Sequence, residues 1–185
     1  ARLDVANITA SITNGTFASD ISSWSDVTNL MSVTYVATPA EDTSNTTAYT
    51  FSGASIGTAA ANRIVVVCVQ AISSAATMTS ACAVTIGGVT ATIGAQETAT
   101  ITGARAAVSA VAYLPFPTGT TANIVVTVDA AESCTISVYN VNGPAVEAFS
   151  STVDATISAG VVSGNINIPL GGVAIGVATY QSSGA

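Results

Sequence analysis

Hydrophobic positions along this chain gather in short runs rather than in helical stripes. The densest run is Arg63-Ile64-Val65-Val66-Val67-Cys68-Val69-Gln70, whose six consecutive apolar residues are mostly β-branched. Such residues favour an extended backbone, and their continuity leaves neither face suited to water, so the run predicts a central strand. Burying each of these side chains contributes roughly 1.5–3 kcal/mol, against which stands the entropy of ordering the backbone. Further β-prone runs fall at 49–51, 83–86, 89–93, 106–114, 122–128, 134–141, 152–157, 164–168 and 173–180. Their recurrence at roughly ten-residue intervals, with no amphipathic helix between them, predicts an all-β fold, an antiparallel β-sandwich or barrel. Gly87-Gly88, between Val84-Thr85-Ile86 and Val89-Thr90-Ala91-Thr92-Ile93, predicts a two-residue hairpin, because the favoured turns need positive φ. Only 55–62 and 72–81 have room for a helical turn.

The first part of the chain is organised differently. Leu3-Asp4-Val5 and Ile8-Thr9-Ala10-Ser11-Ile12 alternate, Asn14-Gly15 signals a turn, and 31–36 again looks like a strand. A polar, proline-bearing stretch, Thr38-Pro39-Ala40-Glu41-Asp42-Thr43-Ser44-Asn45, follows. The expected division is an N-terminal arm at 1–37, a linker at 38–47 and a β-sandwich domain at 48–185.

Composition narrows the functional classes. The 185 residues amount to 18.1 kDa, enough for one domain with a short arm. Charged residues are only 7% of the chain, and the cations are Arg2, Arg63 and Arg105, with no lysine or histidine and a net charge of -7. Nucleic acid is excluded as a partner, since phosphate neutralisation needs clustered Lys and Arg. So weakly charged a surface suits a secreted protein or a subunit packed among its own copies. No run of about 18 apolar residues exists, so membrane insertion is not expected. The opening Ala1-Arg2-Leu3-Asp4 fits removal of an initiator methionine and favours cytoplasmic synthesis over a cleaved leader.

No residue set identifies a reaction. Gly53-Ala54-Ser55-Ile56-Gly57 fits the nucleophile-elbow pattern, but the serine would need a histidine or lysine base, and the chain contains neither. Asp4, Asp20, Asp26, Glu41, Asp42, Glu97, Asp129, Glu132, Glu147 and Asp154 show no spacing that selects a glycosidase pair. Phosphate-binding glycine loops are absent, and Glu41-Asp42 lacks the acidic spacing of a calcium loop. No cofactor and no metal is expected. Cys68, Cys82 and Cys134 read either as three small buried hydrophobes or, because an odd count leaves one thiol without an internal partner, as a source of an inter-subunit disulfide. Tyr49, Phe51, Tyr113 and Tyr139 sit inside strand runs, where core or sheet-face roles outweigh sugar stacking. Sequons at Asn7, Asn14 and Asn45 matter only in a glycosylating pathway.

Two resemblances extend this reading. Asn14-Gly15-Thr16-Phe17-Ala18-Ser19-Asp20-Ile21-Ser22-Ser23-Trp24 resembles the opening of galactose-binding-type jelly rolls and phage tail modules, which implies that Phe17 and Trp24 anchor the arm. Five phrases resemble, in order and spacing, a module of tailed-bacteriophage and prophage structural proteins: Tyr49-Thr50-Phe51-Ser52-Gly53-Ala54-Ser55-Ile56-Gly57, Asn62-Arg63-Ile64-Val65-Val66-Val67, Val84-Thr85-Ile86-Gly87-Gly88-Val89-Thr90-Ala91-Thr92, Pro117-Thr118-Gly119-Thr120-Thr121-Ala122-Asn123-Ile124-Val125-Val126-Thr127 and Gly171-Gly172-Val173-Ala174-Ile175. That resemblance implies a jelly-roll-like sandwich on a virion surface with no catalytic residues. The expected function is a non-enzymatic capsid decoration or cement subunit, on the outer surface of the particle and assembled in the host cytoplasm. Its expected partners are copies of itself and other virion proteins. The alternatives are a tail or fibre component that binds host-surface glycans, and a secreted pilus or surface-layer subunit.

Overall fold

A computed structural model describes residues 31–39, 41–73, 78, 82–101, 105–143, 164–168 and 172–179 of the chain, without the side chains of residues 100, 101, 105 and 130. They form an all-β sandwich of two antiparallel sheets. The strands are β1 (Ser32–Ala37), β2 (Thr46–Ser55), β3 (Arg63–Ser73), β4 (Ala83–Ile86), β5 (Val89–Thr90), β6 (Thr92–Ile101), β7 (Arg105–Pro115), β8 (Thr121–Ala131) and β9 (Ser133–Asn142). One sheet has the order β1-β9-β3-β7-β6, the other β2-β8-β4-β5.

β5 and β6 are separated by Ala91 alone, so they are two halves of one strand that leaves the smaller sheet and enters the larger. Counted this way, the strands pair as a nested hairpin: β4 with β5 innermost, then β3 with β7, β2 with β8 and β1 with β9 outermost. Rolled up so that β3 also meets β9 and β4 meets β8, this is a jelly roll. Most of the pairing is therefore distant in sequence, the kind of topology that folds slowly.

The valine run lies where its pattern demands. β3 is the middle strand of the five-stranded sheet, and Val65, Val67, Val69 and Ala71 point into the core between the sheets, against Tyr49, Phe51, Val84, Ile124 and Val126. The alternate residues Ile64 and Val66 point the other way and, with Val141, form a second buried cluster on the outer face of the same sheet. Burial on both faces explains why the run has no polar alternation. The Gly87-Gly88 turn is also as expected: both glycines have positive φ, 58° and 82°, and Ile86 faces Val89 across a two-residue loop.

Other expectations change. The run at 31–36 forms β1, which is hydrogen-bonded to β9 and completes the five-stranded sheet. The linker is tied in as well, Asp42 and Cys134 exchanging backbone bonds of 3.0 and 2.9 Å. No helical turn forms across 55–62: Ser55 ends β2 and a turn at Ala61-Asn62 leads into β3, whose Arg63 N–H donates to Ala60 O at 3.1 Å. Residues 72 and 73, assigned to the second such stretch, extend β3. Residues 164–168 and 173–179 are not strands of either sheet. β-propensity and alternation report an extended backbone with one apolar side, not a hydrogen-bonded neighbour, and at 172–179 the neighbour is a sheet face. The strand expected at 152–157 lies outside the described residues.

Candidate assembly surface

The candidate surfaces are the ends, edges and outer face of the jelly roll. One end is closed by Arg63. Its guanidinium is almost wholly buried, 1% exposed, at the start of β3, and burial pulls its pKa below the ordinary arginine value. It faces backbone carbonyls: Nε donates to Phe116 O at 2.6 Å, one terminal nitrogen to Gly57 O at 2.9 Å and Ile56 O at 3.5 Å, the other to Thr118 O at 2.6 Å. Phe116 N in turn donates to Arg63 O at 3.1 Å. A planar fork with five donors is suited to bridging two loops in this way. Asn140 supports the same end, donating to Thr58 O at 3.0 Å and accepting from Asn142 Nδ2 at 2.7 Å. Gly57 must be glycine here: its φ is +77° and a Cβ would lie 2.5 Å from Asn140 Nδ2. Gly57→Ala is expected to lower stability by about 2–4 kcal/mol, measured by urea unfolding.

The elbow-like pattern is thereby explained structurally. Gly53, at φ 61°, occupies a register shift between Phe51 and Ala54, and its N–H donates to Asn123 Oδ1 at 2.9 Å. Both glycines of Gly53-Ala54-Ser55-Ile56-Gly57 thus serve a bulge and a loop, and Ser55 is an exposed strand end. Asp42 spends a carboxylate oxygen on Ser44 N at 2.9 Å, capping a local turn. Among the described residues no three His, Cys, Asp or Glu side chains come together as a metal cluster.

The three thiols are free and buried, none more than 3% exposed. Cys82 and Cys134 belong to the core between the sheets, whereas Cys68 takes the alternate, outward parity of β3. Burial pushes Cys68 and Cys82 up to about 11 and Cys134 to about 12, the last also raised by Cys82 and Asp42. Thiols that are neutral and enclosed do not exchange at neutral pH, so a cross-link between subunits would require the sandwich to open at Cys82 or Cys134 and the cover of the outer face to move at Cys68. Native protein is expected to leave all three unlabelled by a disulfide reagent, and urea-unfolded protein to titrate three. Because the folded values lie above the ordinary 9.0, the unfolded chain releases these protons first as pH rises. Their contribution is fully present below pH 9 and is lost through about 11–12, so thermal melts should fall over that window. Phe17 and Trp24 lie outside the described residues.

The outer face of the five-stranded sheet carries a feature that periodicity did not reveal. Residues 172–179 run extended across it, Ile175 packing on the Ile64, Val66 and Val141 cluster. Gln70 Nε2 donates to Ala178 O, the Ser109 and Thr179 hydroxyls meet at 2.6 Å, and Thr179 Oγ1 donates to Val108 O at 3.4 Å. Beside this strap the pairing registers line up Tyr35, Tyr139, Val66 and Tyr113 in one row across four strands. Of the aromatics singled out from sequence, Tyr49 and Phe51 are core, while Tyr113 and Tyr139 are half-buried.

Tyr35, which sequence reasoning passed over, is 55% exposed. Its ring meets Tyr139 edge-on, centroids 5.6 Å apart, its hydroxyl bonds Thr38 Oγ1 at 2.6 Å, and that oxygen lies 3.3 Å from Ser137 Oγ. β1 itself is exposed over Ser32, Val33, Thr34 and Tyr35, on both of its faces. No protein-family model, no curated protein and no solved structure matches this chain.

Proposed function

We propose that the chain is a non-enzymatic virion structural protein of a tailed bacteriophage, a capsid decoration or cement subunit on the outer surface of the particle. The observation that carries the reading is a jelly roll with a closed core whose strand β1 is uncharged and, among the described residues, has no strand beyond it. Jelly rolls recur in viral capsid and lectin domains, so the fold supports the reading by analogy, and the five sequence phrases point the same way. A chain without histidine or lysine also lacks two of the usual proton carriers of enzymes, and its carboxylates show no spacing that selects a catalytic pair. Its mechanism would be mechanical: backbone pairing and apolar contact with copies of itself and with other virion proteins. Particles from a genome lacking the gene should release their contents at lower temperature, and added purified protein should restore the wild-type value. Unchanged thermal release would count against a cement role.

A second reading has its own observation. The exposed Tyr35 ring beside the Thr38 and Ser137 hydroxyls combines a stacking face with hydrogen-bonding groups, the ingredients of a glycan site in a tail or fibre component. Saturable binding on a glycan array that disappears in Tyr35→Ala would favour it; a cement subunit should bind no glycan.

A further inference from the structure

The two sheets have four edges, β1 and β6 in one and β2 and β5 in the other. A free edge offers unpaired N–H and C=O groups to any extended chain, and proteins usually blunt such edges. Three of the four are blunted. β5 is two residues long; β2 is broken by two register shifts, one of them around Gly53; β6 carries Glu97 and a shift between Ile93 and Ala95. Among the described residues β1 has no strand beyond it; its register is regular from Ser32 to Tyr35, with one shift between Tyr35 and Ala37, and it contains no charge and no proline.

The occupant follows from charge. Two copies each at -7 repel, and they can approach best where neither presents a carboxylate. The whole stretch 27–40 is uncharged, as is the adjoining β9. On β1, Ser32 and Thr34 are exposed on the side facing the sandwich and Val33 and Tyr35 on the other. We infer that β1 pairs antiparallel with β1 of a second copy about a two-fold axis, joining the five-stranded sheets of both copies into one and covering Val33 and Tyr35 of each. An isologous contact of this kind is self-limiting, because it uses the open edge of both partners. It names the surface through which the proposed building block would meet its neighbour and rests on that reading only for its biological purpose. Pairing can fail while incorporation into particles stands, and the reverse.

The test is the mass of the full chain in solution, by light scattering and sedimentation over a range of concentrations. Wild type is expected to shift from 18.1 kDa toward twice that mass as concentration rises. Thr34→Glu, at an exposed position, should weaken pairing by about tenfold or more, since like charges across paired strands repel. Thr34→Lys should pair as poorly with itself, and an equimolar mixture of the two variants should recover the pair. Melting temperatures close to wild type would show that both variants fold. A wild-type chain that stays monomeric throughout, or an oligomer that Thr34→Glu leaves intact, overturns the inference.

Discussion

Arg63→Met will lower the stability of the fold by about 2–4 kcal/mol, seen as a lower urea midpoint with an unchanged slope. Methionine fills similar volume but donates nothing, so the carbonyls of Gly57, Phe116 and Thr118 lose their donors at once. A buried carbonyl left without a donor costs about 1–3 kcal/mol, reduced here because Thr118 lies at the exposed rim and can turn to water. Against a total stability of roughly 5–15 kcal/mol the loss is large. Arg63→Lys should recover little of it, since one ammonium group cannot span two loops as a planar fork does. A change under about 0.5 kcal/mol for Arg63→Met would mean that the loops hold without the clamp.

Removing residues 1–37 should leave a chain that aggregates or fails to fold. β9 would then become the edge, ten residues with no charge, apolar inward at Ile136 and Val138 and outward at Tyr139 and Val141. That combination of β-propensity, low charge and no proline is an aggregation signature. A 31–185 chain, which keeps β1, is the control and should remain soluble. If the 38–185 chain proves monodisperse, with a melting temperature near that of the 31–185 chain, β1 is dispensable to the sheet.

The all-β fold was legible because its strongest signals are local. The valine run at β3 needs burial on two faces, and only the middle of a sheet supplies that. Gly87-Gly88 defines its own turn. What could not be read depends on partners distant in sequence. Most of β6, Ala95 to Ile101, has weak apolar alternation and is a strand because β7 pairs with it from Val111 to Arg105. The role of Arg63 was not legible, since nothing in its spacing points to carbonyls 53 and 55 residues away. The segment 172–179 carries a strand's pattern for a different reason, contact with a sheet face. Tyr35 went unremarked because exposure of an aromatic depends on where the sheet ends.

Whether this jelly roll is, as proposed, a building block of a virus particle can be read by quantitative peptide mass spectrometry. The sample is the particles produced by the genome that encodes the chain, banded to purity and washed in high salt. The expected result is the chain in many copies per particle, in constant ratio to the capsid protein and accessible to surface labelling. Its absence from purified particles, with the protein found only in the host cell or its medium, would contradict the claim.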